Sequence, residues 1–188
     1  MVGAVSRHCS YIDRAIDHFN GCVQKIKKMT NKIKTILTAG IIAGLLDITA
    51  AFLVYCGMMQ LATPKAILLG IAAGIRGPVA NSGGWLTAAA GLALHFFIAM
   101  IFAVIFVWLY PTFRKLIPNK WILGIIYGCL VWLIMNCLVV PLSALGRRPK
   151  WNFGFTHLPL AVLILIVSVG LPISLITAKM YRSNSRIL

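Results

Sequence analysis

Apolar residues gather into four runs, parted by short segments rich in Pro, Gly, Lys and Arg. The runs cover about residues 35–61, 85–110, 121–142 and 157–178. Each meets or exceeds the roughly 20 apolar residues an α-helix needs to cross the hydrocarbon core of a bilayer. Thr63-Pro64-Lys65 ends the first run, and Pro111 is expected to close the second. Residues 66–75 are also apolar but too short to span, which predicts an interfacial or re-entrant helix stopped by Arg76-Gly77-Pro78. The expected fold is therefore all-α: an integral membrane bundle of four antiparallel transmembrane helices, with a short interfacial or re-entrant helix between spans one and two. Short loops after the second and third runs favour neighbours packing in sequence. Trp85, Trp108, Tyr110, Trp121, Trp151 and Tyr181 sit near run ends, where amphipathic rings prefer the membrane interface.

Ahead of the first run the pattern changes. Ile12, Ile16, Phe19, Val23 and Ile26 recur at helical spacing, with Lys25, Lys27 and Lys28 on or beside the polar side. Residues 1–31 thus read as a basic amphipathic helix lying on the cytoplasmic membrane surface. A second reading stays open: Met29-Thr30-Asn31-Lys32-Ile33-Lys34 has the pattern of a translation start just before a first span. The transmembrane domain is expected over 32–182, with a cytoplasmic tail over 183–188.

Composition narrows the class. Of 188 residues, 60% are hydrophobic and 11% charged, against about 25% charged in a soluble domain. The 18 Lys and Arg face 3 acids, for a net charge of +15. The basic residues cluster at run ends. Thirteen fall on the side of the amino terminus, the 111–120 turn and the tail, and five on the other. The basic side faces the cytoplasm, which predicts that both termini are cytoplasmic. Lipid is the expected partner: the bilayer itself, and anionic headgroups at the basic loops. With no recognised nucleic-acid-binding motif, no nucleic-acid partner is expected. Cys9, Cys22, Cys56, Cys129 and Cys137 form no CxxC pair and read as small apolar residues, not as a disulfide or zinc framework.

Asp47 is the one acid outside the amino-terminal segment, near the middle of the first run. A central Asp costs roughly 2.5–3.5 kcal/mol to insert, so it should face protein or water. Gly40, Gly44, Asp47 and Ala51 share a stripe, and the Gly40/Gly44 pair permits close helix approach. His95 is its expected partner, on a second-run stripe with Gly91, Ala99 and Ala103. By helical rise His95 lies within about 15 Å of the outer surface. A polar cluster could extend from Asp47 through His95 and Asn136 to His157, with Arg76 approaching from the short helix. Gly124 and Gly128 form a second small-xxx-small pair for helix packing. Pro141 and Pro172 can each kink their helices.

Several short motifs resemble a family of small bacterial inner-membrane proteins of the YagU-like kind. They are Ala39-Gly40-Ile41-Ile42-Ala43-Gly44-Leu45-Leu46-Asp47-Ile48, Ile71-Ala72-Ala73-Gly74-Ile75 with Gly77, and Ser82-Gly83-Gly84. Gly91-Leu92-Ala93-Leu94-His95-Phe96, Tyr127-Gly128, Met135-Asn136 and Pro141-Leu142-Ser143-Ala144 complete the set. The likeness covers about residues 32–182. It implies a four-span fold in a bacterial cell inner membrane and implies no reaction.

Two functional readings stay open. In one, Asp47 and His95 exchange protons or bind a cationic substrate, as the polar centre of a small proton-linked transporter or permease. Four spans enclose little volume, so such a protein is expected to assemble as a homo-oligomer or within a larger complex. In the other, the same residues only lock the bundle of a non-catalytic scaffold or accessory subunit. No catalytic residue is assigned: Ser82-Gly83-Gly84 is not a GxSxG elbow. Two His and one Asp from separate runs lack metal-ligand spacing, so neither metal nor cofactor is expected.

Overall fold

A computed structural model describes residues 2–144 and 158–184, and among them every regular element is a helix. Helix α1 (Val2–Ala51) passes directly into a π-helical segment, Phe52–Met58. Helix α2 (Pro64–Arg76) and a 3₁₀ turn (Pro78–Ser82) follow, then α3 (Trp85–Leu116). Helix α4 (Lys120–Ile134) continues through a π-helical segment, Met135–Val139, into α5 (Val140–Leu142). The last stretch is α6 (Leu158–Leu165), a π-helical segment (Ile166–Gly170) and α7 (Leu171–Asn184). Four helices are long and apolar enough to cross a membrane: His18–Met58, Trp85–Leu116, Lys120–Leu142 and Pro159–Ser183. Their outward faces expose Leu37, Ile41, Leu45, Ile101, Ile105 and Ile126. An apolar belt of that extent suits lipid, not water.

The amino-terminal segment and the first span form one unbroken helix of 50 residues. No proline precedes Pro64, and the hydroxyls of Thr30 and Thr35 turn back onto the carbonyls of Ile26 and Asn31, at 3.1 and 2.8 Å. Nothing in that stretch competes with the helical ladder. At about 1.5 Å per residue it is roughly 75 Å long, far more than the roughly 30 Å hydrocarbon core.

Pro111 does not close the second span, because α3 runs on to Leu116. A proline inside a helix leaves the carbonyl four residues earlier without its donor. Here that carbonyl belongs to Val107, and the Tyr181 hydroxyl of α7 donates to it at 3.5 Å. In an apolar span a freed carbonyl needs such a substitute.

Helix α2 is capped at both ends. Thr63 accepts from the Ala66 N–H at 3.2 Å, Pro64 opens the helix, and Gly77 ends it at φ 73°, a conformation that favours glycine. The Ala144 N–H donates to the Gly74 carbonyl at 2.9 Å, tying α2 to the end of the third span.

The core is built on close backbone approach. Gly40 lies against Met100, and Gly44 against Phe96 and Ala99, which seats α1 on α3. Gly124 and Gly128 meet Gly170, Leu171 and Ile166, so α4 rests mainly on the fourth span. Helices α3 and α4, expected to be close neighbours, touch chiefly through Tyr127. Its ring lies 4.5 Å from Phe106, and its hydroxyl donates to the Phe102 carbonyl at 2.6 Å. Interhelical bonds of this kind in membranes are worth about 0.6–2 kcal/mol.

Candidate functional site

Asp47 lies one helical turn beyond Gly44 on the inward stripe of α1. The glycines that draw α1 onto α3 therefore also carry the carboxyl inward. It faces a cavity of about 320 Å³ whose walls come from all four spans. His95 and Phe102 of α3, Trp132 and Asn136 of the third span, and Leu165 of the fourth line it, and Ile71 of α2 closes one side. The lining is mostly apolar, with a few convergent polar groups, which is the usual make-up of a small-ligand pocket. Its volume sits at the low end of the roughly 300–1,000 Å³ typical of such pockets.

The three π-helical segments all border this cavity. Tyr55 comes from the first, Met135 and Asn136 from the second and Val169 from the third. Two of them end two residues before a proline, Pro141 and Pro172. A wider turn there relieves the clash between the ring and the preceding carbonyls. Tyr55 stands eight residues after Asp47. In a regular helix that is about 80° off its stripe. The π turn holds an extra residue and brings Tyr55 back toward the carboxyl. π-bulges occur frequently at functional sites.

Asp47, His95 and Asn136 each have a defined partner. The Asp47 Oδ1 lies 2.9 Å from the Ser168 hydroxyl, and that hydroxyl also lies 2.6 Å from the Ile164 carbonyl. Ser168 has one proton to give. When it goes to an ionised Asp47, the Ile164 carbonyl loses it. When Asp47 is neutral, the carboxyl can donate to Ser168 Oγ, and Ser168 donates to Ile164. The site thus offers two complete hydrogen-bond arrangements, one for each charge state of Asp47.

His95 Nε2 lies 2.9 Å from the Gly44 carbonyl. A carbonyl can only accept, so Nε2 carries a proton in this geometry. His95 also meets Phe96 edge-on, with ring centroids 5.7 Å apart. The Asn136 amide donates to the Trp132 carbonyl at 2.9 Å.

Of the residues expected in one polar cluster, Asp47, His95 and Asn136 line the same cavity. Arg76 does not join them: it is exposed at the end of α2. His157 lies outside the described residues. Ser168, the direct partner of Asp47, and Tyr55 were not among the candidates. A serine in an apolar run carries little signal, because its own i−4 carbonyl can satisfy it. Gly91 is held against the backbone carbonyl of Leu68, where a Cβ would collide. Gly170, in the α4 contact, was not singled out from the sequence. Among the described residues no group of three His, Cys, Asp or Glu side chains could hold a metal ion. No family model, no curated protein and no solved structure matches the chain.

Proposed function

We propose that this chain is a small proton-linked transporter or permease of a bacterial inner membrane, of the YagU-like kind, with Asp47 and His95 at its polar centre. Its four spans run antiparallel with both termini in the cytoplasm, and α2 is an interfacial or re-entrant helix. The pairing of Gly40 with Met100, and of Gly44 with Phe96, supports opposed directions for α1 and α3. The pairing of Gly124 with Leu171, and of Gly128 with Ile166, does the same for α4 and the fourth span.

The observation that carries the transport reading is the cavity. The only acid within the spans faces a space reached from all four of them, beside an imidazole. An apolar chamber with one carboxyl and the rings of Tyr55, Phe102 and Trp132 suits a small apolar cation that exchanges with a proton. The alternating proton of Ser168 supports a carboxyl that works in both charge states.

A second reading, a non-catalytic scaffold or accessory subunit, draws on a different observation. Among the described residues no buried side-chain polar atom lacks a partner. A fully paired cluster locks a bundle without doing chemistry.

Infrared difference spectroscopy of the carboxyl in reconstituted bilayers separates the two. Transport predicts an Asp47 band that changes with pH within the range over which the protein stays folded, vanishes in Asp47→Asn and moves in His95→Ala. A carboxyl that holds one state across that range, with Asp47→Asn folding normally, leaves the scaffold reading standing.

A further inference from the structure

The cavity that holds Asp47 is sealed at one end. Phe102, Val131 and Val169 form its floor, and all three are buried in one core cluster with Phe106 and Tyr127. Towards its other end Tyr55, Val140 and Ala161 line it, each near the end of its span. Val140 is also exposed at the surface, so the cavity runs out to that end of the bundle.

Helix α2 lies across this end. The Leu68 carbonyl and the Ala72 backbone nitrogen press on Gly91 of α3. Further along α2, the Gly74 carbonyl accepts from the Ala144 N–H, just past the third span, at 2.9 Å. Ile71 stands between these two anchors and is the residue of α2 that lines the cavity. Helix α2 therefore bridges the second and third spans, with Ile71 over the space between them.

The two anchors differ in kind. At Gly91 backbone rests directly on backbone, and Leu69, Ala72 and Ala73 of α2 are buried. Dispersion contacts that close are lost with a small separation, so α2 and α3 hold together. At Gly74 the join is a hydrogen bond beside an ordinary contact: a Cβ there would stand 4.0 Å from Ser143 Cβ. Ala144 is exposed, so water can replace its hydrogen bond at little net cost. Residues 59–63, which link α2 to the first span, are irregular, and Gln60 holds φ 52°, a conformation uncommon outside glycine. A few loop residues of this kind can absorb the rotation of a hinged element.

We propose that α2 is the gate of the cavity: it stays seated on α3 and parts from the third span at Gly74 and Ala144, admitting a small water-borne cation to Asp47. The purpose of such a gate rests on the transport reading, but access to the cavity is measured separately. An Asp47 carboxyl that never titrates would sink transport and leave the access result as it stands.

A reversible lock across the seam tests the gate. Cβ atoms 4.0 Å apart suit a disulfide. Gly74→Cys with Ser143→Cys is made in a chain whose five native cysteines are replaced by Ala. It is oxidised with copper phenanthroline in lipid nanodiscs, where both faces meet the buffer. Trp132, on the cavity wall, is kept as the sole tryptophan, with Trp85, Trp108, Trp121 and Trp151 changed to Phe. The probe is acrylamide, a small water-soluble quencher. Acrylamide should quench Trp132 in the reduced protein, oxidation should cut that quenching about threefold or more, and dithiothreitol should restore it. Oxidant should change nothing in either single-cysteine variant. Failure of the disulfide to form would overturn the seam. Quenching that is absent in the reduced protein, unchanged by the lock, or lost equally in a single-cysteine variant would overturn the gate.

Discussion

The Ser168 hydroxyl stands 2.9 Å from Asp47 Oδ1, although 121 residues separate the two in the chain. The same hydroxyl is 2.6 Å from the Ile164 carbonyl. One proton thus has two acceptors, and which of them receives it depends on the charge of Asp47. Ser168→Ala removes the partner of either state. A hydrogen bond to a charged group contributes about 1.5–3 kcal/mol. Ser168→Ala should therefore shift the Asp47 carboxyl band and destabilise the protein by about that amount when Asp47 is ionised. Infrared spectra and denaturant unfolding followed by helicity would show both. An unmoved band would mean that Ser168 does not contact the carboxyl.

Close glycine contacts should be costly to fill. A Cβ on Gly128 would lie 2.6 Å from Ile166 Cα, which is backbone and cannot turn aside. Gly128→Ala should cost about 1–3 kcal/mol, as overpacking does. Gly70 has nothing within 4 Å and stands inside α2. Gly70→Ala should be neutral or stabilise by up to about 1 kcal/mol. Thermal unfolding of the two variants in one detergent checks the contrast, which reverses if the α4 contact is loose.

Pro111 and Tyr181 should be coupled. Pro111→Ala restores a backbone donor to the Val107 carbonyl, after which the Tyr181 hydroxyl at 3.5 Å is dispensable. Tyr181→Phe should cost about 0.5–1 kcal/mol in the wild type and near zero in Pro111→Ala. A double-mutant cycle measures the difference. Equal costs in both backgrounds would show that the hydroxyl serves another partner.

Orientation can be read by labelling. Asn81 follows α2, and Lys115 lies near the end of α3. In a cysteine-free background, a membrane-impermeant maleimide added to intact cells should modify Asn81→Cys. Lys115→Cys should react only after the membrane is opened. The reverse pattern would put the basic loops outside.

Much of this protein is local in origin. A run of apolar residues long enough to cross a bilayer is helical wherever it lies, because every backbone polar group there must bond within its own segment. The four spans and the isolation of Asp47 follow from composition and spacing. The close-packing glycines follow in part, since Gly40, Gly44, Gly124 and Gly128 recur at helical spacing. What lies opposite them does not. The pairing of Asp47 with Ser168, the carbonyl that His95 meets and the entry of Tyr55 into the cavity depend on how far one helix is slid and turned against another. That register is decided by side-chain packing between residues far apart in sequence. The π-helical segments then change the facing of every residue beyond them. Pro111 makes the same point: a local rule ends the helix there, and a tyrosine 70 residues later lets it continue. Chain pattern therefore determined which segments are helices and which residues are too polar for lipid. Only the tertiary structure decided which of those residues meet, because burial in an apolar medium demands a partner without specifying which one.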